Sequence, residues 1–327
     1  MLNLDMPGDL AAVLAASFTI GIVVGLTGMG GGALMTPALI FLGAGNASAI
    51  VTADLTAAAV YKTGGAIVHA RYGAPDFRLA RLLIFGSVPM AFVGPFWINA
   101  VIRPELLEPF LQAAIGMALL IAAGAYALRL YLGLRYQRRG KRPMDAQPQI
   151  RPLSTLLVGA IGGLLVGITS VGSGSVIMVA LVMLYPTLSA LRLVGTDLIQ
   201  AIPLVLSAAV GNILVHGLNW SLVVPLIIGS VPGSVLGSRL APKVPQSVIR
   251  RGIVIVLTMS GVALLDKSGW LIGEKKTRPM LIAWTALAMI LLMPLFWGIL
   301  RMREGLPFVG HPTVGEIEQD VGSSNPT

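Results

Sequence analysis

The stretch Gly25-Leu-Thr-Gly-Met-Gly-Gly-Gly-Ala-Leu-Met-Thr-Pro37 limits what this chain can fold into more than any other. It lies inside an apolar run. A glycine cluster is costly within a helix there, because glycine loses the most backbone entropy on ordering. The same device returns as Gly167-Ile-Thr-Ser-Val-Gly-Ser-Gly-Ser-Val-Ile-Met-Val179. A shift of 142 residues lays Gly25 on Gly167, Thr27 on Thr169, Gly30 on Gly172 and Gly32 on Gly174. Two helix breaks, one in each half of a duplicated chain, are the expected consequence.

Composition places these breaks in a membrane. The 327 residues are 55% hydrophobic and only 11% charged, with a mean hydropathy of +0.84. A soluble domain carries about 25% charged residues. Several apolar runs reach the roughly 20 residues that cross a hydrocarbon core. The net charge of +9 does not point to nucleic acid, since the bases fall between apolar runs, as in cytoplasmic loops. With no cysteine there is no disulfide framework and no thiolate metal or redox chemistry. Three widely spaced histidines make no metal cage, and no cofactor is expected. The first nine residues hold Asp5 and Asp9 and no Lys or Arg, so the run from Leu10 reads as a retained helix.

Leu10 to Gly43 is 34 residues. As one helix it would span about 50 Å, against a core of about 30 Å. The chain must therefore turn near Gly28–Gly32, either as two helices or as a re-entrant hairpin. Apolar segments follow at Ala47–Ala70, Leu82–Ile102 and Leu106–Leu132, then a basic loop holding Arg135, Arg138, Arg139, Lys141, Arg142 and Arg151. The second half repeats the order: Leu153–Thr169, the second break, Val176–Tyr185, Leu191–Val215, Leu222–Leu240 and Ile249–Leu265. Gly86-Ser-Val-Pro-Met-Ala-Phe-Val-Gly94 matches Gly229-Ser-Val-Pro-Gly-Ser-Val-Leu-Gly237 at five of nine positions, at an offset of 143. An internal repeat of this kind settles the architecture before any single segment does. Met280–Leu300 has no partner in the first half.

Loop charges give the two halves opposite orientation. The loop after the third segment carries Arg71, Arg78 and Arg81, while its counterpart at 217–221 carries no charge. The next loop reverses this: Arg103 with Glu105 and Glu108, against Arg239, Lys243, Arg250 and Arg251. By the positive-inside rule the repeats are inverted and the amino terminus lies outside. Lys267, Lys275, Lys276 and Arg278 then fall on the outside, against that rule. The expected fold is an all-α, polytopic integral membrane protein. Its two inverted repeats each hold a glycine-broken helix pair, and one extra carboxy-terminal helix follows. The expected units are a first repeat (1–132), a basic cytoplasmic linker (133–152), a second repeat (153–265), a loop and extra helix (266–300) and a polar tail (301–327).

A broken helix frees backbone N–H groups, and a helix start favours an anion. Gly28, Gly30, Gly31 and Gly32 in one break, and Gly172 and Gly174 in the other, are therefore candidates to bind substrate. Thr27, Thr36, Thr169, Ser170, Ser173 and Ser175 add hydroxyls. Close packing of small residues is the competing reading. Asp54, Asp197 and Lys62 are ionisable groups at membrane depth, where function is the default. Either carboxylate could carry a coupling proton, or each could cap a helix start or nearby loop. Lys62 could pair with Asp54, meet the substrate or snorkel to an interface. His69 and His216 end matching segments and are candidate gates, with interfacial structural roles as the alternative. Gln200 and Asn212 suit interhelical hydrogen bonds.

With these residues in view, the chain resembles the sulfite exporter TauE/SafE family of membrane permeases. The resemblance rests on GLTGMGGGALMTP at 25–37, TADL at 52–55, Lys62, Gly65, His69, Gly73 and Asp76. In the second half it rests on GTDL at 195–198 and GSVPGSVLG at 229–237. It covers about residues 10–265. The chain departs from the pattern where Thr-Ala-Asp replaces Gly-Thr-Asp, which puts Thr52 in doubt as an equivalent of Thr196, and where the second break lacks a triple glycine. The resemblance implies transport of sulfur-containing anions such as sulfite or sulfonates, with proton coupling. The residues themselves give a secondary permease with an anion-suited site. A passive anion channel is the alternative, and a membrane-embedded enzyme or maturation factor ranks below it, since no nucleophile–base pair or metal cluster supports catalysis. The expected partners are a small anionic substrate and the lipid bilayer of the inner membrane, which the chain crosses several times. No nucleic acid is expected, and a homo-oligomer is compatible with the sequence.

Overall fold

The computed structural model describes residues 9–27, 31–69, 75–138, 149–172, 174–185, 188, 190–240, 246–270, 278–303 and 308. Among these residues the chain is all helical. The first half holds α1 (Leu10–Thr27), α2 (Gly32–Phe41), α3 (Ala47–His69), α4 (Phe77–Val101) and α5 (Pro104–Arg138). The second holds α6 (Pro152–Thr169), α7 (Val176–Leu184), α8 (Ala190–His216), α9 (Trp220–Leu240) and α10 (Gln246–Lys267), and α11 (Pro279–Arg303) follows. Seven described helices are long and apolar enough to cross a membrane. This is a multi-pass membrane protein. Both glycine clusters end a helix, and the helices that follow are short. α2 has 10 residues and α7 has 9, so each reaches only about 15 Å, half a hydrocarbon core.

The helices pair across the two halves. α1 packs along α9 and α4 along α6, while α3 meets α8 and α5 meets α10. Glycine lets the first two pairs approach backbone to backbone. A Cβ at Gly25 would overlap the Ser234 carbonyl, and one at Gly163 would overlap the Ser87 carbonyl. In lipid, helix association depends on such close van der Waals contact, because the surrounding tails are as apolar as leucine. The contacts also fix direction. Gly21 lies on Ser230 and Gly25 on Ser234, so α1 and α9 run the same way. Gly159, Gly163 and Gly167 lie on Leu83, Ser87 and Ala91, so α6 and α4 do too.

Polar contacts tie the helix ends. At one end, the Glu108 carboxylate of α5 accepts from the Ala47 N–H that opens α3, at 2.8 Å. Lys267, at the end of α10, donates to the Ile40 carbonyl near the end of α2, at 3.1 Å. The Arg278 N–H bonds Asp266 at 2.8 Å. The awkward base Lys267 thus caps a helix carboxy terminus, where a cation is favoured. At the other end, Asp76 caps α4 and Thr196 Oγ1 of α8 accepts from the Asp76 N–H at 2.9 Å.

Some boundaries differ from expectation. α5 continues to Arg138, past the expected Leu132, placing Arg135 and Arg138 on a helix end that favours cations. α11 packs on α10 and leaves Trp284, Leu291 and Phe296 exposed, a surface suited to lipid. Arg139, Lys141, Arg142, Lys275, Lys276 and the tail beyond 308 lie outside the described residues.

Candidate functional site

The two breaks meet. Gly31 begins α2, its N–H donating to the Tyr61 hydroxyl of α3 at 3.0 Å. Gly32 then touches the second break directly: a Cβ there would overlap the Ser170 carbonyl. Ser170 follows α6 with φ 59°, a left-handed conformation unusual for a residue other than glycine. Gly172 has φ 127°. This backbone reversal stops α6 and turns the chain into α7.

Asp54 of α3 lies beside that contact and is fully buried. Its Oδ2 accepts from Thr36 Oγ1 of α2 at 2.6 Å and from Ser170 Oγ at 2.8 Å. One carboxylate oxygen thus holds hydroxyls from both halves. Its Oδ1 has no hydrogen-bond partner. Its partners come from α2 and the second break, while Asn46 caps α3, accepting from the Ala49 N–H at 2.9 Å. Seven and eight residues on, Tyr61 and Lys62 return to the same side of α3. Lys62 is half-buried there, within electrostatic reach of Asp54 and Asp197.

Asp197, on α8, is buried and accepts from Gln200 Nε2 at 3.0 Å. Gln200 Oε1 in turn accepts from Ser87 of α4 at 3.3 Å. Asn212 Nδ2 donates to the Gly167 carbonyl, at 2.8 Å, just before the second break. The two amides thus make interhelical bonds. Thr52 and Thr196 do different work. Thr52 returns its hydroxyl to the Ser48 carbonyl at 2.8 Å, while Thr196 reaches Asp76 across the halves.

The other candidates separate. Thr27 and Thr169 bond back to the Val23 and Leu165 carbonyls, at 2.7 and 2.6 Å. The Gly172 carbonyl accepts from the N–H groups of Ser175, Val176 and Ile177. Gly174 offers its carbonyl to the Tyr126 hydroxyl of α5 at 3.2 Å. Ser175 is buried, with no partner for its hydroxyl. His216 lines a cavity of about 10 Å³ with Ser48, Pro95, Ile168 and Asn212, room for about one water. Gly28, Gly30 and Ser173 lie outside the described residues, as does the side chain of His69. Tyr61, Tyr126 and Arg192 were not singled out from the sequence. A tyrosine in an apolar helix carries a polar tip that needs a partner, and that was the available signal for the first two.

The arrangement offers hydroxyls, strained backbone, one ammonium and two carboxylates at the junction of the halves. Among the described residues no cluster of His, Cys, Asp and Glu could hold a metal ion.

The family model "Sulfite exporter TauE/SafE" matches residues 13–264, ending before α11. "Probable membrane transporter protein YjnA" of Bacillus subtilis (strain 168) is 32% identical over 78% of this chain and 99% of its own length. "Probable membrane transporter protein YdhB" of the same organism is 25% identical over 77% and 99%. A "Probable membrane transporter protein" of Xylella fastidiosa (strain Temecula1 / ATCC 700964) is 27% identical over 73% and 87%. No solved structure matches the chain. With the family model covering most of the chain and the relatives covered almost end to end, this protein belongs to the TauE/SafE sulfite exporter family of membrane transporters.

Proposed function

We propose that the protein is a secondary transporter for a small sulfur-containing oxyanion, such as sulfite or a sulfonate, coupled to protons and working by alternating access. The observation that carries this reading is Asp54 Oδ2, which holds Thr36 from one half and Ser170 from the other where the breaks touch. Substrate binds where the breaks meet, with Lys62 as its cation and exposed backbone N–H groups as donors. Asp54 and Asp197 are the carboxylates available to a coupling proton.

Inverted repeats supply the alternating geometry. In support, α3 starts at the end where Glu108 and Lys267 sit, and α8 starts at the end where Asp76 sits. Following the chain, α9 returns from α8 and α1 runs with it, whereas α6 runs with α4 away from Asp76. Helices matched at the repeat offset then point in opposite directions, as inversion requires.

The test is uptake of sulfite and of a sulfonate into proteoliposomes, with and without a pH gradient. A coupled carrier concentrates substrate when the gradient is imposed. A passive channel only equilibrates it. Flux of neither anion through folded protein removes the sulfur assignment.

A further inference from the structure

Asp54 and Asp197 occupy matching positions 143 residues apart, yet their surroundings differ. Asp197 accepts from the Gln200 amide at 3.0 Å. Asp54 is the more deeply buried, and its Oδ1 is left without a partner. A buried acceptor in that state is costly unless something occupies it.

Asp54 and Asp197 are both carboxylates, and Lys62 lies eight residues on from Asp54 along α3. Other charges on neighbouring elements sit toward helix ends. α2, α6 and α7 have none, and α4, which packs on α8, has Arg78 and Arg81 in its first turns. α8 has Arg192 at its start and His216 at its end, and α9 has Arg239 in its last turn. α5 has Glu105 and Glu108 in its first turns and Arg129, Arg135 and Arg138 toward its end. An arriving anion would add a further negative charge beside an ionised Asp54. A metal cation would need a shell of several oxygens, as Ca²⁺ and Mg²⁺ do. Among the described residues no group of His, Cys, Asp and Glu could hold such an ion, and a proton needs only one lone pair.

Resting on the proton-coupled reading above, we infer that Asp54, and not Asp197, carries the coupling proton. One proton adds to Oδ1 from one side of the membrane, giving a neutral carboxyl. The same O–H bond breaks toward the other side. Neutral Asp54 no longer repels the anion, so proton and substrate enter and leave together. With a monovalent sulfonate, one proton and one anion cross per turnover without net charge movement.

Proteoliposomes carrying wild type, Asp54→Asn or Asp197→Asn are assayed for sulfonate accumulation under a pH gradient and for sulfonate exchange without one. Asp54→Asn mimics the protonated form. It is expected to keep exchange, made independent of pH between about 5 and about 8, while accumulation falls about tenfold or more. Asp197→Asn is expected to keep accumulation, at an altered KM. Accumulation by Asp54→Asn overturns the inference. So does an Asp197→Asn variant that exchanges but does not accumulate, whether or not Asp54→Asn folds. A wild type that exchanges sulfonate without accumulating it overturns the proton-coupled reading instead.

Discussion

The two halves share their scaffold and divide their chemistry. Matching contacts recur in the scaffold: α1 on α9 answers α4 on α6, and Asp76 caps α4 where Asn219 opens α9. Around the breaks the match is partial. At the repeat offsets Thr36 faces Met178, Tyr61 faces Leu204 and Lys62 faces Val205. Asp54 persists as Asp197, and Thr27, Gly30 and Gly32 persist as Thr169, Gly172 and Gly174, but the partners of the two aspartates differ. A duplicated fold has to keep its helix interfaces, because each depends on backbone contact that no side chain can replace. Its centre, which lies between both copies, need be built only once.

The largest effects separate interface glycines from break glycines. Gly163→Leu forces a side chain into the α4 backbone, beyond the overpacking that ordinarily costs about 1–3 kcal/mol, and is expected to remove folded protein from detergent extracts. Gly30→Leu should insert and fold yet lose transport, and Gly172→Leu, strained besides at φ 127°, should lose stability as well as transport. Equal activity in both would reduce the breaks to packing.

Lys62→Met comes next. It removes the ammonium that neither repeat offset duplicates, and the KM for the anion should rise about tenfold or more, the scale of one lost charge-assisted bond. An unchanged KM would mean that Lys62 only reaches for an interface.

The two tyrosines sharpen the comparison further. Tyr61→Phe leaves the Gly31 N–H unpartnered in a buried site and should cost about 1–3 kcal/mol. Tyr126→Phe removes one hydroxyl donor from the Gly174 carbonyl and should cost about 0.5–1.5 kcal/mol. Thermal unfolding in detergent ranks them, and a reversed order would contradict the described geometry of the breaks.

Effects close to that of Tyr126→Phe lie at the caps. Asp76→Ala and Asn219→Ala should each lower stability by about 1 kcal/mol. Only Asp76→Ala also loses the 3.8 Å pair with Arg192, partly exposed and worth at most about 1 kcal/mol. A larger loss at Asn219 would break the ranking.

The scaffold was legible because its determinants are local or periodic. Glycine clusters in apolar runs and runs long enough to cross a membrane are both visible in one dimension. The first break was legible for the same reason, since α1 ends at Thr27 and α2 starts at Gly32. The joint at Asp54 was not. It depends on Thr36, Asp54 and Ser170 meeting across 116 residues of sequence between the last two, and nothing in the order of residues says which aspartate will find them. Thr27 and Thr169 look like site donors in sequence, but in a helix a threonine hydroxyl can return to the carbonyl four residues back, and both do.

The most direct test of the central claim, that the two breaks meet at one site and must part for transport, uses the absence of native cysteine. Thr36→Cys and Ser170→Cys are combined in one chain, since both side chains reach the same carboxylate oxygen. Oxidation in proteoliposomes should form the cross-link and stop sulfonate exchange, and reduction should restore it. A cross-link that forms and leaves exchange at its reduced rate would contradict the account.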